Sequence, residues 1–176
     1  MRNIRIGAGL PVWHKCATRR QDMPKFTALP TDVVNAYRQG AADAHGNPPE
    51  HHVSDGGGNP CRHCLKDIPK GAGMLILAHK PFDGTHPYAE VGPIFLCSDP
   101  CAQGGGTVLP EILTTSPDYL LKGYDADDRI VYGTGAIVAA PGIPEYLHGT
   151  FGDARVAYVH VRSARNNCYQ ARVDRD

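Results

Sequence analysis

The chain has 176 residues, the length of one ordinary domain, with 41% hydrophobic residues, 20 glycines and 15 prolines. This hydrophobic fraction excludes a disordered chain, and the glycine and proline content predicts a loop-rich domain. Its 18 basic and 18 acidic residues give a formal net charge of zero, which argues against a nucleic-acid partner. The absence of an apolar run of about 18 residues argues against a membrane span.

The first 22 residues differ in charge from the rest of the chain. They carry five basic residues and one acid, a net charge of +4, whereas the remainder carries 13 and 17, a net charge of −4. They lack the apolar core of a secretory signal and any helical or strand periodicity. We predict that residues 1–22 are a disordered basic leader or a misassigned start ahead of Met23, that residues 23–176 form a single domain, and that the protein is cytoplasmic.

The predicted elements of the first part of the chain are short. A strand at Phe26–Leu29 precedes a helix that begins at Thr31 as its N-cap and ends at Gly40. An irregular loop follows over residues 41–60, and apolar runs predict two further strands at Met74–Ala78 and Pro93–Cys97. Asp99 and Pro100 are typical of a helix start.

Beyond residue 108 the sequence predicts two short helices and two strand pairs. The helices are Leu109–Thr114 and Ile143–Phe151; the pairs are Tyr119–Tyr124 with Arg129–Tyr132, and Val156–Ser163 with Cys168–Asp174. The predicted fold class is α+β, a mainly antiparallel sheet with a few short helices and a metal-knuckle loop region.

Residue parity predicts the register of the last strand pair. One face takes the apolar residues of both strands: Ala157, Val159, Val161, Tyr169, Ala171 and Val173. The other takes the polar ones: Tyr158, His160, Arg162, Gln170 and Arg172. A slip by one residue would bury arginine, so we expect the polar face to be exposed.

Four of the six cysteines form two closely spaced pairs. Cys61 and Cys64 are spaced C-x2-C, and Cys97 and Cys101 are spaced C-x3-C. Zn²⁺ prefers a tetrahedral set of four thiolates, and short turns of this kind bring two sulfurs to one ion. We predict a structural Zn²⁺ with these four ligands, in which a helix N-terminus at the second pair favours the Cys101 thiolate.

Other interpretations of the cysteines stay open. Cys61 and Cys64 also have the spacing of a redox pair. That motif, however, lies at the start of a helix that follows a strand, whereas this pair follows a loop. A histidine among His51, His52 and His63 could replace one sulfur, four thiolates also hold iron–sulfur clusters, and buried free cysteines are common.

The turn between the last two strands carries a second candidate site. Cys168 is a potential nucleophile, with Asn167 and His160 as further catalytic candidates, although the predicted register separates Cys168 from His160 by more than about 10 Å. On the polar face, Arg162, Gln170 and Arg172 could bind an anion.

Several segments spread along the chain carry a family resemblance: Phe26–Pro30, Ser54–Gly56 with Asn59–Leu65, Tyr88–Leu96, Gly123–Gly133, and Ala157–Ser163 with Asn166–Gln170. Together they resemble the bacterial family catalogued as domain of unknown function 1203. The resemblance covers about residues 25–175 and implies no particular activity. In that family histidine often stands at the position of Cys97, which suits a zinc ligand and also admits three cysteines and one histidine.

Two functions follow from these observations. The first is a small zinc-binding protein that acts as a binding or adaptor module for a protein or a small anionic ligand. The second is an enzyme that acts on a small anionic substrate around Cys168.

Overall fold

The computed structural model describes residues 24–175, so the predicted leader, its Cys16 and Met23 lie outside the described residues. The described chain forms nine strands and two α-helices: β1 (Lys25–Thr27), α1 (Thr31–Arg38), β2 (Glu50–Val53), β3 (Gly73–His79), β4 (Gly92–Cys97), β5 (Gly105–Gly106), β6 (Asp118–Tyr124), β7 (Ala136–Ala139), α2 (Ile143–Thr150), β8 (Tyr158–Ser163) and β9 (Tyr169–Asp174). Two 3₁₀ turns lie at Glu111–Leu113 and Ala140–Gly142.

The strands form two antiparallel sheets. The larger has six strands in the order β5-β1-β9-β8-β6-β7, and the smaller has three in the order β2-β3-β4. This arrangement with short helices confirms the α+β prediction. Within residues 24–175, neither helix has the length and apolarity that crossing a bilayer requires.

One face of the six-stranded sheet carries the main core. Val159, Val161, Ala171 and Val173 point to this face, and α2 covers it with the buried side chains of Ile143 and Leu147. Burying such side chains contributes about 1.5–3 kcal/mol each. The predicted parity is therefore confirmed for these four residues of β8 and β9.

The opposite face of β8 is buried, which corrects the prediction that it is exposed, whereas the Arg172 side chain of β9 stays 39% exposed. Tyr158, His160 and Arg162 are each at most 3% exposed. The chain after β3 places Phe82 against this face, 5.1 Å from His160 between ring centroids. The predicted parity holds here, but a second layer of structure covers the polar face as well.

A β-bulge alters the end of this strand pair. Val161 pairs with Ala171, but Arg162 pairs with Tyr169, so Gln170 is the additional residue. Tyr169 therefore lies on the face of Arg162 and packs with the core of the small sheet, not with the apolar face predicted for it. The register predicted from parity places Cys168 opposite Ala164. This alignment is also wrong, because the Ser163 N–H donates to the Cys168 carbonyl at 2.9 Å.

Three other elements differ from the sequence predictions. No helix follows Asp99–Pro100, where the described chain is irregular up to β5. Arg129–Tyr132 meets β6 only through a single bridge at Ile130, and the strand beside β6 is β7. The predicted loop 41–60 contains β2, an edge strand whose residues are all exposed, so its sequence has no apolar alternation to mark it.

Helix α1 starts and ends close to its predicted limits. Pro30, and not Thr31, is the residue before its first turn, and the Thr31 side chain bonds elsewhere. Gly40 follows the helix at φ +89°, a left-handed conformation that favours glycine. The helix buries Val34 against the core of the small sheet.

Candidate metal centre

The first cysteine pair lies in a tight turn. The N–H of Leu65 donates to the Cys61 carbonyl at 3.0 Å, and the N–H of Cys61 donates to the Lys66 carbonyl at the same distance. Leu65 has φ +56°, which allows the chain to reverse directly after Cys64. The turn thus directs the side chains of both cysteines to one side.

The second pair is brought alongside by β4. Cys97 is the last residue of this strand, and its N–H donates to the Cys61 sulfur at 3.3 Å. Cys61 also forms a parallel bridge with Phe95 of the same strand. Strand pairing between β3 and β4 therefore fixes the position of Cys97, and the irregular segment after it returns Cys101.

The four sulfurs form one cluster. The Sγ atoms of Cys61, Cys64, Cys97 and Cys101 all lie within 4.8 Å of one another, and those of Cys64 and Cys97 are 4.0 Å apart. Cys61 is fully buried and the other three are half-buried. These four cysteines could hold a metal ion, as their spacing predicted.

The immediate surroundings of Cys101 are cationic and polar, which corrects the predicted helix N-terminus. Arg38 donates from Nη2 to the Cys101 sulfur at 3.2 Å and from Nε to the Cys97 carbonyl at 3.1 Å. His63, fully buried, contacts the same sulfur through Nδ1 at 3.1 Å and Thr31 Oγ1 through Nε2 at 3.0 Å. The Cys101 sulfur is therefore held by contacts from two side chains of distant segments, and not by backbone N–H groups of a helix.

The histidines do not replace a sulfur in this cluster. His63 has both ring nitrogens in hydrogen-bond contacts with Thr31 and Cys101, and burial lowers its pKa, which keeps it neutral. His51 and His52 lie on the exposed strand β2, where His52 contacts Glu50 at 3.1 Å.

The sulfurs share protons unequally. Hydrogen bonds from the thiols of Cys64 and Cys97 hold the pKa of Cys61 far below its usual range. The same hydrogen bond to Cys61 raises the pKa of Cys64 to about 12, and hydrogen bonds to Cys61 and Cys64 raise the pKa of Cys97. A metal ion would therefore displace the protons of Cys64 and Cys97.

The second predicted site is divided by the fold. Cys168 and Gln170 line one cleft, and Cys168, Asn167 and Arg162 line a neighbouring one. His160 is fully buried among the rings of Phe82, Tyr124, Tyr158 and Tyr169, with centroids 4.8–5.1 Å away.

Arg172 lies apart from both clefts. Its guanidinium stacks over the Tyr158 ring at 3.7 Å and pairs with Asp174 at 2.6 Å. It therefore already has an aromatic partner and a carboxylate partner.

Arg62 is a buried residue between two of the predicted ligands, and the sequence offers no reason to assign it a role of its own. It is 2% exposed, and burial lowers its pKa to about 10, which leaves it cationic at neutral pH. Its Nε donates to the Tyr169 carbonyl at 2.8 Å and its Nη1 to the Pro60 carbonyl. A basic residue within the C-x2-C turn was the available signal, but the sequence alone does not show where its side chain is directed.

Fold and site together define a small α+β domain with a four-cysteine cluster capable of holding a metal. The chain belongs to the family described as "Protein of unknown function (DUF1203)", which matches residues 58–175. The matched region contains all four cysteines and begins after β2. No match was found among curated proteins or among solved structures.

Proposed function

We propose that this protein is a zinc-stabilised binding module in which one Zn²⁺, held by Cys61, Cys64, Cys97 and Cys101, is structural. The observation that carries the proposal is the convergence of the four sulfurs within 4.8 Å. A tetrahedral zinc site with Zn–S bonds of about 2.3 Å has sulfurs about 3.8 Å apart. The observed 4.0 Å between Cys64 and Cys97 is close to this separation.

Four protein ligands favour a structural ion over a catalytic one. A catalytic zinc keeps one coordination position for water or substrate, whereas a set of four cysteines fills the tetrahedron. The surroundings also support a bound ion, because Arg38 partly offsets the excess negative charge that four thiolates would give the site. The ion would join the turn at Cys61 to the end of β4 and thereby stabilise the core of the small sheet.

The redox alternative receives less support from the local geometry. A C-x2-C redox pair opens a helix after a strand, but Cys61 and Cys64 lie in a turn between Pro60 and Asp67, which bridge one another. Zinc-ligating cysteines must stay reduced, and the cytoplasm is a compartment in which thiols are kept reduced. We therefore propose that the protein is cytoplasmic. The partner in this proposal is another protein or a small anionic ligand.

The test is metal analysis of the chain purified under reducing conditions without chelators. We expect one zinc per chain, loss of zinc in Cys61→Ser and Cys97→Ser, and cooperative unfolding of the native protein on chelation. Cys168→Ser is the matched control, since this cysteine lies outside the cluster, and it should keep its zinc. Protein without metal, iron in place of zinc, or equal zinc loss in the control would contradict the proposal.

A further inference from the structure

A cleft of about 250 Å³ lies between the cysteine turn, strand β4 and the turn that joins β8 to β9. We call it the Arg62 cleft, because Arg62 is the one charged residue among the described residues that line it. Polar side chains at the cleft include Ser116, Asn166 and Gln170, and its apolar walls include Phe95 and Ile112. The cleft is therefore a small, partly apolar space with one cation.

The charge of Arg62 lacks a carboxylate partner within 4.0 Å in the described part of the chain. The guanidinium has five N–H donors, of which the carbonyls of Tyr169 and Pro60 take two. The guanidinium carbon lies 5.5 Å from the centroid of the Phe95 ring. The thiolates of the adjacent cysteine cluster offset part of the positive charge but accept no hydrogen bond from Arg62, so three N–H donors remain for an anionic ligand in this cleft.

The neighbouring cleft is electrostatically different, although it contains the arginine that the sequence had singled out. Arg162 lines this cleft of about 400 Å³, but its Nη1 is 2.6 Å from Glu90 Oε2. Glu90 Oε1 accepts a further hydrogen bond from Lys122 at 2.9 Å. An anion there would have to compete with Glu90, which is also one of the lining residues.

The Arg62 cleft has a second buried polar group that is not satisfied by the protein. Gln170 is 6% exposed, and its Oε1 lacks a hydrogen-bond partner. This atom is a potential acceptor for a hydroxyl or N–H group. A ligand that carries one anionic group on a small body with such a donor would satisfy both Arg62 and Gln170.

We propose that the Arg62 cleft binds a small monocarboxylate, such as a short 2-hydroxy acid. One guanidinium matches one carboxylate in charge and in the planar geometry of its N–H donors. Phe95 and Ile112 accommodate a short apolar body, and the cleft of about 250 Å³ has room for a ligand of this size. The inference rests on the proposed function in that the metal-binding turn holds Arg62, so zinc content is measured in every variant.

In the experiment, the zinc-loaded full chain is titrated with lactate, propionate and inorganic phosphate. Binding is measured by calorimetry and by changes in NMR chemical shifts. We expect saturable binding of one lactate, weaker binding of propionate, which lacks the hydroxyl, and the weakest binding of phosphate. Arg62→Met and Ser116→Phe should each weaken lactate binding at least tenfold. Arg155→Met, at an exposed arginine paired with Asp153, should bind as the native chain does.

Ser116→Phe keeps the test decisive if Arg62→Met loses zinc or fails to fold, because it fills the half-buried edge of the cleft and leaves the metal-binding turn intact. The proposal is overturned by an absence of saturable lactate binding to zinc-loaded protein. Unchanged affinity in Ser116→Phe with native zinc content overturns it as well. Tighter binding of phosphate than of lactate would overturn the ligand class. Loss of zinc from the native chain would count against the proposed function instead.

Discussion

At the scale of single residues, the structure buries a cationic side chain, that of Arg162, on the polar face of β8. Arg162 is 3% exposed, and its charge is balanced by Glu90, which also contacts Lys122. Removing one partner of a buried ion pair leaves an uncompensated charge, which costs more than the pair itself contributes. Glu90 therefore sustains the burial of Arg162.

We expect Glu90→Gln to lower the free energy of unfolding by about 1–3 kcal/mol, since Glu90 is itself partly exposed. The measurement is urea denaturation of the native protein and the variant under identical conditions. Asp118→Asn is the matched control, because Asp118 pairs with the exposed Arg165, and it should cost no more than about 0.5 kcal/mol. Equal effects of the two substitutions would show that Glu90 does not stabilise Arg162.

At the scale of elements, the cysteine turn depends on close contact with the glycine-rich segment before and within β5. The N–H of Gly104 donates to the His63 carbonyl at 2.8 Å. A Cβ atom at Gly104 would clash with the carbonyl oxygen of Cys64 and lie 3.1 Å from Leu65 Cβ. The absence of a side chain at residue 104 thus lets β5 approach the turn, and the same segment then pairs with β1.

We predict that Gly104→Ala destabilises the protein by about 1–3 kcal/mol, because the turn or the strand must shift to admit the methyl group. Gly135→Ala is the control, since nothing lies within 4 Å of a Cβ at that position, and it should change stability by no more than about 1 kcal/mol. The comparison is made by equilibrium urea unfolding. A Gly104→Ala protein as stable as the Gly135→Ala protein would contradict the tight contact.

At the scale of the whole molecule, two histidines lie where the two sheets meet. His79 ends β3 of the small sheet, His160 belongs to β8 of the large sheet, and both contact the Tyr169 ring. Burial, with the nearby charges of Arg62 and Arg162, lowers the pKa of His79 to about 4. Burial also lowers the pKa of His160 well below its usual value. His79 packs against Tyr169 at 5.4 Å between ring centroids. These surroundings therefore keep both imidazoles neutral at pH 7.

This arrangement makes stability depend on pH. Between pH 6.5 and about 4 the unfolded chain protonates His79 while the folded protein does not, so stability falls as the pH falls through this range. Between pH 7 and pH 5, we expect the free energy of unfolding of the His79→Gln variant to fall by about 2 kcal/mol less than that of the native chain. The measurement is urea unfolding at each pH. Both proteins share any acid release of metal and the contribution of His160. Parallel stability curves would contradict the assignment to His79.

Local patterns predicted most of the elements and the four cysteines that lie close together. The apolar run Met74–Ala78 lies within β3, and Ile143–Phe151 corresponds to α2. The parity of Val159 and Val173 was also correct, because alternation along a strand is a local property. These features depend on neighbours in sequence and can therefore be predicted without the fold.

The features that the sequence did not reveal depend on contacts between distant segments. Strand β2 has exposed residues and exists because β3 offers it a pairing edge. The helix expected after Asp99 is absent, and Arg38 from α1 approaches Cys101 instead. Whether the polar face of β8 was exposed depended on Phe82, which lies far from it in sequence.

The sequence by itself determined that four cysteines in two short pairs could meet, because tight turns bring sulfurs two or three residues apart to the same side of the chain. It also determined the antiparallel α+β character and the apolar face of the last strand pair. Only the tertiary structure decided that Arg62 lies buried in a cleft and that Arg162 is already paired with Glu90. The physical reason is that burial and charge pairing depend on which distant segments pack together, and a linear pattern does not specify that packing.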